Sequence, residues 1–350
     1  MYNQLGLSVY LSTFHRQKEM LERFGGSGYL VFASFHMQEE FNSMEDYCER
    51  AVKMCKWLKG RDFKIIGDVS SKTLEFFQYD SIVEFAKDMG IDILRLDYGF
   101  SQEEILEIAK EYPISFNPST DDEIMAKKLL DTGTTVYGMH NFYPRPETGL
   151  DPEDFNMING ELKKLGIKTL AFIVGDEEKR GPIYEGLPSL EKHRNIPPYV
   201  AFLDLVVNYG VDGVFVGDVK ISELQGKLIT HYIEDKIITI PVEFLPEYEY
   251  LYDQVFTIRA DSPRMLMRLQ ESREYGTPGE LKEPFNSIAR KRGSITMDNI
   301  KYKRYSGEIQ ILRKDLPQDD RVNVIGKVQD DYLDIMECIK NRDKIRFKKL

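Results

Sequence analysis

Short apolar segments recur along the first two thirds of the chain, and each is followed by polar residues and then by a helical pattern. Eight such segments precede residue 220, and they begin at Leu5, Tyr29, Phe63, Asp92, Pro113, Thr134, Lys168 and Asp212. Nearly continuous apolar strands indicate burial on both faces, as in a parallel sheet that is covered by helices. Eight strand–helix units in roughly 235 residues match the usual size of a (β/α)8 TIM barrel.

A doubly wound α/β sheet is the alternative, but no G-x-G-x-x-G follows the first strand and the chain contains no P-loop motif. The helical segments carry end signals of their own. One is expected to begin at the N-cap Ser43 and to end at Gly60, and another to begin at Asp151-Pro152 and to end at Gly166. The barrel is therefore the preferred fold.

The pattern changes after about residue 238. Strand-like segments (VFTIRA, GSITMDN, GEIQILRKD and RVNVIGKV) now follow one another without long helices between them. A Pro-flanked segment precedes them, and a helix is expected to start at Asp261-Ser262-Pro263. We predict two domains, a barrel over residues 1–237 and a smaller β-rich domain over residues 238–350.

Charge and composition narrow the class of protein. The 350 residues include 30% charged side chains and carry a formal net charge of -11, which argues against nucleic acid and anionic membranes as partners. The start lacks the basic region of a signal peptide, and no apolar segment approaches membrane-spanning length. The three cysteines make no disulfide framework and are expected to be buried free thiols. The expected location is the cytoplasm.

Active sites of such barrels lie at the carboxyl ends of the strands. Asp97 is the strongest candidate there, because Ser101 already offers a cap for the helix that follows. Asp218 is expected to serve only as a helix cap. The polar residues that end the second to eighth strands are His36, Asp68, Asp97, Asn117, His140 with Asn141, Asp176 and Asp218.

Two loops concentrate further polar groups. The segment MHNFYPRPETGL (Met139 to Leu150) follows strand six, and its prolines make it stiff. The loop after strand seven (Gly175 to Arg194) contains a local concentration of basic residues in an otherwise acidic protein, which favours an anionic ligand over a merely solvated charge run. Together with Arg145, the cations Lys179, Arg180, His193 and Arg194 are expected to bind one phosphate and a carboxylate.

Carboxylates supply the other half of a glycosidase site, which needs an acid and a nucleophile or base. Asp97 and Asp176 end strands that lie well apart around the ring and can face each other across its mouth. Glu147, Glu185 and Asp68 are rival members of this pair, and the sequence leaves retaining and inverting mechanisms open. His36, Asp68, His140 and Asp218 offer metal-ligand chemistry, but no metal-binding spacing occurs, so we expect neither a metal nor a cofactor.

Four motifs resemble those of the 6-phospho-N-acetylmuramidase family: HNFYPRPETGL, the GD…KRGPIYEGLPSLEKHR loop, RLDYGF and RYSGEIQILRKDLPQDDRVNVIG. The resemblance implies a barrel followed by a smaller cyclophilin-like β-barrel domain. It also implies a cytosolic glycoside hydrolase that cleaves N-acetylmuramic acid 6-phosphate from N-acetylglucosamine, in a disaccharide imported during peptidoglycan recycling. One departure is Ser189, where the family pattern suggests threonine.

The resemblance carries over no catalytic pair, only positions that share its motifs. These are Asp97, His140, Asn141, Tyr143, Arg145, Glu147, Thr148, Asp176, Arg180, Glu185, Glu191, His193 and Arg194. The hypothesis for catalysis comprises Asp97, Asp176, Glu147 and Glu185. The hypothesis for substrate and phosphate binding comprises His36, Asn117, His140, Asn141, Tyr143, Arg145, Arg180, His193 and Arg194.

Several alternatives stay open at this stage. A phosphosugar lyase, an etherase or an isomerase fits the same barrel, whereas an aldolase is disfavoured because Lys168 begins its strand at the wrong end. A non-enzymatic sugar-binding protein fits the density of carboxylates less well. In the β-rich domain, Asn299, Arg304, Tyr305, Arg321 and Asn323 either cover the barrel mouth or stabilise turns. A homo-oligomer is compatible with the sequence.

Overall fold

Eight strands of the first part of the chain pair in parallel and close into a barrel, as predicted. The computed structural model describes residues 4–25, 28–36, 44–120, 123–274 and 276–350. Gly6 lies opposite Phe215 where the first and eighth strands meet and close the ring. The strands are β1 (Leu5–Val9), β2 (Leu30–Ser34), β3 (Lys64–Val69), β4 (Ile93–Leu96), β5 (Ile114–Phe116), β6 (Val136–Met139), β7 (Lys168–Ile173) and β8 (Gly213–Val216).

Helices connect successive strands of the barrel. The helix predicted to begin at Ser43 is described from Met44 and ends next to Gly60; Ser43 itself lies outside the described residues. The connection between β3 and β4 contains two helices where the sequence predicts one. The helices are α1 (Phe14–Phe24), α2 (Met44–Lys59), α3 (Ser71–Phe77), α4 (Ile82–Met89), α5 (Gln102–Ala109), α6 (Glu123–Asp131), α7 (Pro152–Lys164), α8 (Pro198–Leu203) and α9 (Glu223–Asp235).

Aromatic rings fill the barrel interior. The ring centroid of Phe172 lies 5.4 Å from that of Phe32 and 5.7 Å from that of Phe215, in edge-on or tilted contacts that aromatic pairs favour. Gly6 makes room for this layer, since a Cβ at that position would lie 2.4 Å from Phe215 Cε1. The interior is therefore a packed core, and the polar groups available for chemistry lie at and beyond the carboxyl ends of the strands.

The chain separates into two units, Met1–Gly226 and Lys227–Leu350. The strands of the second unit are β9 (Ile238–Phe244), β10 (Val255–Thr257), β11 (Leu266–Arg268), β12 (Ser294–Asp298), β13 (Ile309–Leu312), β14 (Val322–Val328) and β15 (Lys344–Lys348). They form a mixed sheet with the order β10-β15-β9-β14-β12-β13-β11, in which β15 runs parallel to β9 and the other pairings are antiparallel. The β-rich character expected for this part is confirmed, whereas the likeness to cyclophilin stays a prediction.

The prediction of a helix at Asp261-Ser262-Pro263 is wrong. The segment is a turn that leads into β11. Asp261 Oδ1 accepts a hydrogen bond from Arg259 Nε at 2.9 Å, and Ser262 Oγ accepts one from the backbone N–H of Arg268 at 3.0 Å. Asp and Ser therefore satisfy the backbone and side chains of a turn here instead of capping a helix.

Polar residues of the second unit stabilise turns. Asn299 and Asn323 are fully buried, and Asn299 Nδ2 donates to Asn323 Oδ1 at 2.9 Å. Asn323 Nδ2 in turn donates to the carbonyl of Glu283 at 2.9 Å, and Arg321 donates to both oxygens of Asp319. The turn-stabilising alternative thus has direct support at three of the five positions, while a covering role stays a prediction.

The cysteines agree largely with expectation. All three are free, and Cys55 and Cys338 are buried, whereas Cys48 is only partly buried and its thiol donates to the carbonyl of Phe76. Within the described ranges, no helix has both the length and the apolar character needed to cross a membrane.

Candidate active site

A cavity of about 1000 Å³ lies beyond the carboxyl ends of the barrel strands. Phe32, Phe142 and Phe172 contribute its apolar surface. This combination of apolar surface with a few converging polar groups is usual for a small-molecule site. The charged and amide side chains that line it are Arg16, His36, Asp68, Arg95, Asp97, Asn141, Glu177, Glu178, Lys179 and Arg180.

Two carboxylates and an imidazole come together on one side of the cavity. His36 Nε2 lies 3.5 Å from Asp97 Oδ2 and 3.9 Å from Asp68 Oδ2. One oxygen of each aspartate and one nitrogen of His36 all lie within 4.8 Å of one another. Asp68 is almost fully buried, whereas Asp97 is exposed to the cavity. We call these three residues the acid cluster.

Arg95 fixes the position of the acid cluster. In the β3–β4 register it lies directly opposite Asp68, and its Nη1 donates to Asp68 Oδ1 at 2.6 Å. Its Nη2 donates to Asn141 Oδ1, the polar residue that follows β6. Both Arg95 and Asp68 are only 6% exposed, so this is a buried, charge-assisted pair. Asp68 thus faces a permanently charged guanidinium.

The acid cluster is also the one group, within the described part of the chain, whose donor atoms are close enough to share a metal ion. Carboxylate oxygens and an imidazole nitrogen are suitable ligands by chemistry. Arg95 places a positive charge against Asp68 and so opposes a cation there. Of the four residues with ligand chemistry in the sequence, His36 and Asp68 meet here, whereas His140 and Asp218 do not belong to the group.

Cations gather on the other side of the cavity, beside the loop after β7. The Arg180 guanidinium lies 3.9 Å from the centroid of the Tyr10 ring, a cation–π contact. Lys179 and Arg16 line the same cavity. We call Arg16, Lys179 and Arg180 the cation group. Burial raises the pKa of Tyr10 to about 12, so its ring stacks on the arginine as a neutral phenol.

Asp218 organises the loop after β7. The prediction that it caps the following helix is wrong. Its carboxylate accepts hydrogen bonds from the backbone N–H groups of Gly175 (2.8 Å), Arg180 (3.0 Å) and Leu187 (3.3 Å). Ser222 accepts the corresponding bond at the start of α9 instead. Asp218 is 1% exposed, and burial raises the pKa of its carboxyl group. The shape of the cation group therefore depends on this buried side chain.

His140 and Asn117 do not belong to the lining of the cavity. His140 is fully buried, with Nε2 2.9 Å from Asn159 Oδ1 and Nδ1 3.3 Å from Ser119 Oγ. Burial lowers the pKa of His140 to about 4, so the ring is neutral at neutral pH. Asn117 Oδ1 accepts from the backbone N–H of Ser119 and so shapes the turn beyond β5. Both residues support the loops that carry the site.

Arg194 ties the two long loops together. Its guanidinium, 4% exposed, donates to both oxygens of Glu191 at 2.6 Å and to the carbonyls of Tyr143 (3.0 Å) and Gly186 (3.0 Å). Glu191 also accepts from the backbone N–H groups of Glu147 and Gly149. These donors, Arg194 first among them, lower the pKa of Glu191 to about 2.

His193 has a similar internal partner, because its Nε2 lies 2.8 Å from Asp204 Oδ2 and its ring is fully buried. Asp176 and Glu147 are exposed beyond the strand ends. Asp176 Oδ1 accepts from the backbone N–H of Ser222 at 2.8 Å, and Glu147 adopts a left-handed backbone with φ 69°. Glu185 is exposed on the same loop as Arg194.

Four residues of the catalytic and binding hypotheses therefore line the cavity, namely His36, Asp97, Asn141 and Arg180, and so do the further candidates Asp68 and Lys179. The other predicted residues lie outside its lining: Asp176, Glu147, Glu185, Asn117, His140, Tyr143, Arg145, His193 and Arg194. Arg95 and Arg16 were not predicted. The sequence does contain a signal that could have identified Arg95, because an arginine inside the apolar strand ILRL requires a buried partner. Arg16 had none, because it lies on a helix rich in charge.

The barrel with carboxylates gathered beyond its strand ends is the arrangement of many sugar-cleaving enzymes. A model of the 6-phospho-N-acetylmuramidase N-terminal domain matches residues 5–231, and one of the C-terminal domain matches residues 238–348. The chain belongs to the 6-phospho-N-acetylmuramidase family, and it is a glycoside hydrolase.

Two solved structures are similar over the whole chain. A conserved Enterococcus faecalis protein of unknown function is 30% identical, with 99% of this chain and 96% of that chain covered and a TM-score of 0.84. An uncharacterized B. cereus protein is 24% identical, with both chains fully covered and a TM-score of 0.79. The search of curated proteins finds no match.

Proposed function

We propose that the protein hydrolyses the bond between N-acetylmuramic acid 6-phosphate and N-acetylglucosamine. The disaccharide would reach it already phosphorylated, in the cytoplasm, during peptidoglycan recycling. The observation that carries this proposal is the pairing of the acid cluster with the cation group in one cavity of about 1000 Å³. The phosphate and the lactyl carboxylate of the substrate require cations, and cleavage of its glycosidic bond requires carboxyl groups.

The cation group is the proposed site for the phosphate. The Arg180 guanidinium lies over the Tyr10 ring, and the backbone N–H of Arg180 donates to Asp218, so the residue is held in place before the ligand arrives. Preorganised guanidinium groups bind phosphate through paired, charge-assisted hydrogen bonds. Arg145 and Arg194 have no place in this proposal as ligands, because Arg145 lies outside the lining and Arg194 is engaged with Glu191.

The acid cluster is the proposed site of bond cleavage. Carboxyl groups about 5–5.5 Å apart are typical of retaining glycosidases, and a wider spacing is typical of inverting ones. The approach of Asp68 and Asp97 oxygens to within 4.8 Å therefore favours retention. We assign Asp68, which faces Arg95, as the nucleophile, and Asp97, which faces the cavity and His36, as the acid and base.

Hydrolysis then proceeds in two steps, in which every bond formed and every proton transferred is accounted for. In the first, an Asp68 oxygen forms a bond to the anomeric carbon while the glycosidic C–O bond breaks, and Asp97 gives its proton to the departing oxygen of N-acetylglucosamine. In the second, a water oxygen attacks the same carbon, passes a proton to Asp97 and releases Asp68 as a carboxylate.

The test is incubation with the phosphorylated disaccharide in water enriched in ¹⁸O. We expect equal amounts of N-acetylglucosamine and N-acetylmuramic acid 6-phosphate, with the heavy oxygen on the phosphorylated sugar. The first-formed anomer in the proton spectrum should keep the configuration of the substrate. An unsaturated sugar without added oxygen would indicate a lyase, and release of lactate with the glycosidic bond intact would indicate an etherase; either result would reject hydrolysis of the glycosidic bond.

A further inference from the structure

The cation group is next to an anion of the protein itself. Glu178 lines the cavity, and its Oε1 lies 3.0 Å from Arg16 Nη2. Its Oε2 lies 3.4 Å from Lys220 Nζ. Both oxygens of this carboxylate are thus close to cations, in the way that the oxygens of a bound phosphate would be.

The backbone holds Glu178 in this position. Its carbonyl accepts from the backbone N–H of Lys220 at 3.1 Å, and its own N–H donates to the carbonyl of Lys220 at 3.4 Å. This small antiparallel bridge fastens the loop after β7 to the segment after β8. The Arg16 side chain, by contrast, is half exposed and extends from α1, so its guanidinium can turn away from Glu178 at little cost.

A phosphate that enters meets two opposing effects. Arg180 attracts it and is held in place by Tyr10, whose hydroxyl donates to the carbonyl of Gly217. Glu178 repels it and competes with it for Arg16. Because Coulomb energies scale with the product of the charges, both effects are about twice as large for a dianion as for a monoanion.

We propose that Glu178 is the resident counter-anion of the phosphate subsite. It pairs with Arg16 while the subsite is empty, and it releases Arg16 when a phosphorylated sugar binds. The consequence is a subsite that holds free anions weakly, so that phosphate is retained only when the attached sugar adds its own contacts. This inference rests on the proposed function, because it takes the cation group as the place of the 6-phosphate.

Glu178→Gln tests the inference, since it removes the charge and keeps the size of the side chain. The probes are inorganic phosphate at pH 8, which is a dianion there, and formate, a monoanion. Dissociation constants are read from the rise of the melting temperature with ligand concentration. We expect phosphate to bind the variant roughly tenfold more tightly than wild type and formate roughly threefold more tightly, in line with their charges.

Arg16→Gln should change the affinity for phosphate in the opposite direction. It removes a proposed ligand, so phosphate should bind this variant several-fold more weakly than wild type. General damage to the cavity would weaken phosphate binding in both variants and would not reproduce this reversal.

Glu223→Gln is the matched control. Glu223 pairs at 3.7 Å with Arg23, which lies on the same helix α1 as Arg16, and it does not line the cavity. It removes the same charge from the chain, and we expect less than a twofold change in phosphate binding.

Unchanged phosphate binding in Glu178→Gln, an equal change in Glu223→Gln, or the absence of phosphate binding in both wild type and Glu178→Gln would overturn the inference. These measurements use no disaccharide, so they are separate from the test of hydrolysis. A wild-type enzyme that cleaves the disaccharide while Glu178→Gln binds phosphate as before would leave the proposed function standing and remove the role of Glu178.

Discussion

Arg95 and Asp68 form a buried ion pair across two neighbouring strands of the barrel, with Nη1 and Oδ1 2.6 Å apart. Each residue is 6% exposed, so neither charge can be compensated by water if its partner is removed. Removing one member of such a pair is strongly destabilising, whereas removing both costs less. The pair therefore links the stability of the barrel to the geometry of the acid cluster.

Arg95→Met should lower the free energy of unfolding by about 3–5 kcal/mol, because it leaves Asp68 buried without a cation. Adding Asp68→Asn should restore much of this loss but none of the turnover. Urea denaturation of the single and double variants provides the measurement. A single variant as stable as wild type, or a double variant with the summed loss of both singles, would show that the pair is not coupled.

Glu191 should make the free energy of unfolding depend on pH in the acid range. Its pKa is lowered to about 2 by Arg194 and two backbone donors, so its contribution is present above the ordinary glutamate pKa and is lost as pH falls toward 2. Glu191→Gln should reduce the free energy of unfolding by about 2–3 kcal/mol at pH 7. The gap to wild type should close as pH falls through the acid range. A gap of constant size at every pH would mean that the charge of Glu191 contributes nothing.

His140 and His36 should separate stability from catalysis. His140→Gln should lower the free energy of unfolding by about 2 kcal/mol at pH 7, since it disturbs buried hydrogen bonds, with KM changed less than about twofold. The lowered His140 pKa, about 4, means that the native state resists protonation. Its stabilising effect is therefore present above the ordinary histidine pKa and declines as pH falls toward 4.

His36→Gln is the comparison, because His36 lies in the acid cluster. It should lower kcat by at least about tenfold with little change in melting temperature. The reverse result, a stable and inactive His140 variant beside an active His36 variant, would place substrate contact at His140.

Asp298 in the second unit should destabilise the protein at high pH. Burial and the neighbouring Glu308 raise its pKa to about 7, so the protonated form suits the fold. The stabilising contribution of the protonated Asp298 carboxyl group is present below the ordinary aspartate pKa and is lost as pH rises through 7. Asp298→Asn should therefore be more stable than wild type at pH 8.5, by on the order of 4 kcal/mol at most, and nearly equal to it at pH 4. Equal melting temperatures at pH 8.5 would show that the carboxylate is accommodated without cost.

The barrel could be predicted because each strand is buried on both faces and leaves a continuous apolar segment such as LGLSV or LVFAS. In the second unit, β9 contains Pro241, and β15 (KIRFK) alternates charged with apolar residues near the end of the chain. Neither resembles a buried strand in isolation. The turn at Asp261 and Ser262 shares its composition with a helix start, and only the contacts with Arg259 and Arg268 decide between them.

The site was harder to predict because burial and local contacts, and not residue type, determine which polar groups face the cavity. Arg180 and Arg194 lie in the same loop and look alike in the sequence. Arg194 is buried by contacts with Glu191 and with the loop after β6, whereas Arg180 faces the cavity. The choice between Asp176 and Asp68 as partner of Asp97 likewise depends on the strand register that places Arg95 beside Asp68.

The most direct test of the central claim is the turnover of the phosphorylated disaccharide by Asp97→Asn, with Asp176→Asn measured in parallel. Both variants remove one carboxylate charge beyond a strand end, but only Asp97 lies in the acid cluster and lines the cavity. We predict that Asp97→Asn loses at least about a thousandfold in kcat with the melting temperature of wild type, and that Asp176→Asn keeps most of its activity. An active Asp97→Asn beside an inactive Asp176→Asn would contradict the account and move catalysis away from the acid cluster.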